Sequence, residues 1–134
     1  MDPSGLMAKA TTACASARAL LDRQDTDGAC NQAYYAMFDA ARAALLATGA
    51  EVSANVGKTP SGVLTAFSPH LVKNGPVPRE IGRLLKQAEE IRIIADYSGD
   101  SISPDDARRL VEAAETFLTA LATLPGLQRP LNLP

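Results

Sequence analysis

Two segments carry residues with chemical potential. In Glu89-Glu90-Ile91-Arg92-Ile93-Ile94-Ala95-Asp96-Tyr97, Arg92 and Asp96 are four residues apart and share one face of a helix. Such a pair can close on itself as a local ion pair. It can also leave the planar guanidinium free to hold a phosphate or a partner's carboxylate. Tyr97 could add a hydrogen bond but is a poor proton acceptor at neutral pH. The second segment runs from Asn31 to Arg42 and contains Tyr34, Tyr35, Met37 and Phe38. Adjacent tyrosines point about 100° apart on a helix, so one can enter the core while the other stays at its rim. Arg79, Arg83 and Lys86 follow four- and three-residue steps, with Lys73 before them and Arg92 after. They form either a solvated face interleaved with Glu80, Glu89 and Glu90 or a stripe for phosphates of RNA or a nucleotide.

Composition removes several chemistries. The 134 residues include one histidine, His70, and two cysteines, Cys14 and Cys30, too few for a conventional His/Cys zinc site. Both cysteines fall in apolar helical patterns and read as small buried hydrophobes. A His-assisted nucleophile would have to use His70, which follows Ser68-Pro69 and reads as a solvated or capping residue. No Walker-type or dinucleotide-type glycine loop is present, and no metal or cofactor is expected. The formal net charge of -2 does not call for nucleic acid globally, though a local basic face survives that total. Met1 to Gly5 shows no basic stretch leading into an apolar core, and no apolar run reaches membrane-spanning length. A cytoplasmic chain is expected.

Helices must position these groups. Leu6, Ala10, Ala13, Ala17, Leu20 and Leu21 mark a first amphipathic helix ending near Arg23. The polar break at Gln24 to Gly28 offers several N-caps for a second helix over about Ala29 to Thr48, which Gly49 is placed to end. Glu51 to Lys58 reads as a loop. Thr59-Pro60 opens a short helix through Val63, Leu64, Phe67 and Leu71, stopped by Asn74-Gly75-Pro76. Pro78 opens the fourth, with Ile81, Leu84, Leu85, Ala88, Ile91 and Ala95 on one face, and Ser98-Gly99-Asp100 closes it. Ser103-Pro104-Asp105-Asp106 starts the fifth with an N-cap, a first-turn proline and two carboxylates. The expected fold is all-α, an antiparallel bundle of four long helices plus one short one over residues 1–124, with 125–134 as a loosely ordered tail. Alanine-rich buried stripes leave modest apolar area per helix, which favours burial against a second copy.

Ala33-Tyr34-Tyr35-Ala36-Met37-Phe38, continuing to Ala40-Ala41-Arg42, resembles a signature of the HEPN domain family, helical bundles that bind nucleotides. So does Arg92-x-x-Ala95-Asp96-Tyr97, with Lys58 to Gly62 and Leu71 to Gly75 in the expected order between them. The resemblance covers about Ala8 to Leu121. It implies a homodimer whose fourth-helix motifs meet across a cleft, lined by Arg92, Asp96 and Tyr97 with Asn31 and Tyr35 opposite.

Two activities are implied by that likeness. Many family members resemble metal-independent ribonuclease toxins paired with a minimal nucleotidyltransferase. There an arginine steadies the phosphate and a nearby histidine moves protons. Others lack the histidine and resemble binding or accessory subunits. Here the histidine positions hold Tyr97, Ser98 and Gly99, Ile93 follows the arginine, and Pro60 follows the threonine of the loop-helix start. The expectation is therefore a dimeric nucleotide-, RNA- or partner-binding component of a toxin–antitoxin or defence module. The alternative is a divergent metal-independent endoribonuclease using Arg92 with Asp96 or Tyr97. In related pairs the nucleotidyltransferase silences the toxin by attaching nucleotide to a tyrosine, and Tyr97 occupies the similar position.

Overall fold

A computed structural model describes residues 2–49, 59–73 and 75–127. The expected loop at 51–58, the stop residue Asn74 and positions 128–134 of the expected tail lie outside the described residues. Among the described residues five α-helices follow in order: α1 (Pro3–Asp22), α2 (Thr26–Ala47), α3 (Pro60–Phe67), α4 (Arg79–Ser98) and α5 (Pro104–Leu121). Four are long and α3 is short, and no strand occurs among the described residues.

Side chains that satisfy free N–H groups set the starts of α1, α2, α3 and α5. Thr59 accepts from the Gly62 amide at 3.1 Å, and Ser103 accepts from the Asp106 amide at 3.1 Å. Asp2 and Asp25 do the same for α1 and α2, so these helices begin at Pro3 and Thr26, earlier than apolar periodicity alone indicates. Gly99, at φ 71°, ends α4 in the left-handed region, where glycine carries no Cβ penalty.

Between α3 and α4 the chain departs from expectation. The short helix does not continue as α through Leu71 but widens into a π turn over Ser68–Val72. Pro69 lacks an N–H, and its ring collides with the carbonyl four residues back, so the α register cannot pass through it unchanged. The wider turn still buries Leu71.

Helix α2 is the central element and packs against α1, α3, α4 and α5. Its small residues, among them Ala33, Ala36, Ala40 and Ala44, are fully buried and let neighbouring backbones approach closely. Larger side chains fill the remaining volume. Phe67 and Phe117 pack with tilted rings, 5.6 Å between centroids, and tie α3 to α5. Arg18 of α1 donates through Nε to Glu115 of α5 at 3.0 Å, and a second guanidinium nitrogen completes a two-pronged ion pair. Beyond α5, Leu124 and Leu127 are also buried, so packing on the bundle continues to the last described residue. Cys14 and Cys30 are buried free thiols.

Candidate functional site

The first turns of α2 and the last turns of α4 meet in a cleft of about 590 Å³. Asp27, Cys30, Asn31 and Tyr34 face it from α2, and Arg92, Ala95 and Asp96 face it from α4. Both sets follow three- and four-residue steps, the spacing of one helical face. Leu110 of α5 lines the floor, while Asp100 and Ile102 of the α4–α5 connection form one wall. That wall is held by Asp27, whose carboxylate accepts the Ile102 amide at 2.9 Å.

The Arg92 guanidinium lies over the Tyr34 ring, 4.6 Å from its centroid. A cation held against the negative face of an aromatic ring gains electrostatic energy, more so where water is thinned. The Tyr34 ring is itself core, 2% exposed, and its hydroxyl donates to Glu89 Oε2 at 2.7 Å. Arg92 joins none of the ion pairs among the described residues. The local Arg92–Asp96 pair considered from spacing is not formed, consistent with arginine-before-acid being the weaker order on a helix.

Proton-transfer capacity in this cleft is poor. Burial pushes the Cys30 thiol up to about 11, with Asp27 and Asp106 adding to the shift. Burial, reinforced by Glu89, raises the Tyr34 phenol well above its ordinary value, with Arg92 opposing. Neither is a base near neutral pH. His70 sits exposed on the π turn and does not line the cleft. Among the described residues no group of three His, Cys, Asp or Glu side chains is disposed to hold a metal ion.

Arg92, Asp96 and Asn31 are thus brought together; Tyr97 and Tyr35 are not among the lining residues. Tyr97 is one helical step past Asp96, and that step carries its ring out to solvent at 89% exposure. Tyr35 stands edge-on to Tyr34 at 5.8 Å and remains partly exposed. Arg79, Arg83 and Lys86 lie elsewhere, along a second groove of about 400 Å³ between α4 and the α3–π-turn segment. There Gly82 lets α4 approach the π turn, since a Cβ at that position would meet Val72 Cγ2 at 2.9 Å. Arg92 does not extend this stripe, because it projects roughly 145° around the helix from it. Two contacts do not follow from the sequence. Glu89, bonded to the lining residue Tyr34, reads from the sequence as part of a solvated face, and Asp27 as a candidate cap; both contacts depend on a segment distant in the chain.

Comparison with known proteins identifies the bundle. A family model described as HEPN domain matches residues 4–124. The chain belongs to the HEPN domain family. Among relatives of this HEPN chain, a UPF0332 protein of Gloeobacter violaceus is 37% identical over 115 residues, 84% of this chain and 87% of the relative. A UPF0332 protein of Thermotoga maritima is 34% identical over 110 residues, covering 81% of this chain and 79% of its own. A protein of Methanocaldococcus jannaschii named "Putative toxin MJ0605" is 28% identical over 103 residues, 77% of this chain and 73% of its own. The HEPN assignment agrees with the all-helical architecture described above.

Proposed function

We propose that this HEPN chain is the binding component of a toxin-like two-component module, with Arg92 receiving the phosphate of a nucleotide or RNA strand. The observation that carries this reading is the state of the guanidinium. It is seated on the Tyr34 ring, faces a cleft and is engaged by no ion pair among the described residues. A planar fork held in this way suits a phosphate ester. The remaining lining limits the ligand's charge. Asp96 and Asp100 would repel a second phosphate group but can accept hydrogen bonds from ribose hydroxyls, and the Asn31 amide can both donate and accept. One phosphate with sugar hydroxyls around it fits that set better than a polyphosphate does.

Binding is favoured over cleavage because the cleft lacks an imidazole, and its thiol and phenol are both shifted upward. The toxin context is supported by the name of the archaeal relative. Assembly as a homodimer is supported by Ile93 and Ile94, which leave 43% and 68% of their surfaces exposed at adjacent positions of α4. A minimal nucleotidyltransferase is the partner that the HEPN resemblance suggests. Tyr97, with its ring almost wholly in solvent, is open to modification by it.

The test is a titration of the purified chain with AMP and, separately, with a fluorescent single-stranded oligoribonucleotide. Arg92→Ala is expected to weaken binding of at least one probe about tenfold or more, the scale of a lost charge-assisted contact. Equal binding by both proteins refutes the assignment. Cleavage of the oligoribonucleotide in chelator, lost with Arg92→Ala, replaces the binding reading with the ribonuclease one.

A further inference from the structure

Glu89 and Arg92 are three residues apart on α4, a spacing at which an acid and a following base on a helix meet. The same arrangement occurs twice on α5, and there both pairs close: Arg108 contacts Asp105 at 2.5 Å and Arg109 contacts Asp106 at 3.5 Å. On α4 the corresponding pair is open. The difference is Tyr34, which reaches across from α2 and contacts both members. Its hydroxyl donates to Glu89 Oε2 at 2.7 Å, and its ring supports the guanidinium at 4.6 Å.

We propose that Tyr34 is a positioning residue that holds the Glu89 carboxylate away from Arg92 and so keeps the guanidinium available to a ligand phosphate. This rests on the phosphate-binding reading of the cleft. Two features make the arrangement durable. The ring is 2% exposed and fixed in the core, so the hydroxyl cannot swing away from Glu89 without disturbing packing. Burial and the neighbouring carboxylate also favour the protonated phenol, so the donor persists across ordinary working pH. Asp96, the other acid near Arg92 on this helix, is exposed and stands in the less favourable order for pairing. Among the acids of α4, Glu89 is therefore the side chain best placed to neutralise Arg92, and Tyr34 is what occupies it.

The experiment uses Tyr34→Phe, Glu89→Gln, the double variant and Arg92→Ala in one titration series with AMP and the oligoribonucleotide. Tyr34→Phe keeps the ring and most of the packing but frees Glu89 to pair with Arg92. It is expected to weaken binding about fivefold, the scale of a partly sheltered ion pair competing for the cation. The double variant is expected to recover to within about twofold of the wild type, because a neutral amide cannot neutralise the guanidinium. A merely structural role for the hydroxyl would make the double variant no better than Tyr34→Phe. Near-ultraviolet circular dichroism confirms that each variant retains the native aromatic packing. Unchanged binding by Tyr34→Phe, or failure of Glu89→Gln to rescue it, overturns the proposal. If Arg92→Ala binds as well as wild type, the phosphate site itself falls; if only Arg92→Ala weakens binding, the site stands and the positioning role falls.

Discussion

Removing the Asp27 carboxylate should loosen the wall of the cleft before it unfolds the bundle. Asp27 lies in the first turn of α2, and its side chain accepts the Ile102 amide at 2.9 Å, pinning the α4–α5 connection to a helix it does not otherwise belong to. A hydrogen bond to a charged acceptor is worth about 1.5–3 kcal/mol where sheltered, and Asp27 is exposed, so about 1 kcal/mol is appropriate. The carboxylate near the positive end of α2 adds about 0.3–1 kcal/mol. Asp27→Ala should therefore cost about 1.5 kcal/mol in urea unfolding and lower the melting temperature by about 5 °C for a domain of this size. Asp27→Asn keeps an acceptor oxygen and loses only the charge, so its cost should be about half as large. Hydrogen exchange at the Ile102 amide separates local from global effects. It should accelerate in Asp27→Ala far beyond the change at amides inside α5, and much less in Asp27→Asn. Equal exchange at Ile102 in the wild type and Asp27→Ala would refute the pinning role. Because Asp100 and Ile102 line the cleft, weaker ligand binding should accompany the local opening.

The remaining expectations concern the core. Asp39 on α2 is 8% exposed, and burial raises its carboxyl above the ordinary value against the opposing influence of Lys9 and Arg42. The folded chain then holds this proton more tightly than the unfolded chain, so Asp39 reduces stability as pH rises from the unfolded value through the folded one. Asp39→Asn should gain on the wild type as pH rises above the ordinary carboxylate value in urea titrations, and a difference that does not change with pH would contradict the assignment. Phe117 is fully buried against Phe67, so Phe117→Ala should cost about 3–5 kcal/mol in the same assay. A loss below about 1 kcal/mol would mean that the contact between α3 and α5 is not part of the stabilising core.

Helix existence was legible because it depends on local rules. Ser103-Pro104 and Thr59-Pro60 announce starts through side-chain caps, and both caps form. Apolar periodicity places the starts of α1 and α2 several residues late, because it begins after the capping turn. The π turn was not legible: Pro69 announces a disturbance of the α register, but whether the chain breaks, kinks or widens depends on the burial of Leu71. The cleft divides in the same way. That Arg92 and Asp96 share a face follows from helical spacing, and so does the displacement of Tyr97 from that face. Glu89 bonding to Tyr34 does not follow, because 55 residues separate them in the chain and only the register of α2 against α4 brings them together.

On the proposed reading, that register also limits how one chain would meet RNA. Arg79, Arg83 and Lys86 occupy the outer groove, and Arg92 turns inward to Tyr34 on nearly the opposite side of the same helix. A phosphate backbone running straight along α4 can touch the three outer cations but cannot continue onto Arg92. The two regions also differ in kind. The outer cations are exposed, so they attract phosphates at long range and lose that effect as salt rises. Arg92 is half-buried, oriented by an aromatic ring and flanked by acids, which favours one well-placed phosphate over a polyanionic track. On the proposed phosphate-binding reading, attraction and selection would be separable within one helix. A ligand engaging both must bend around α4 or use cations from two copies of the chain.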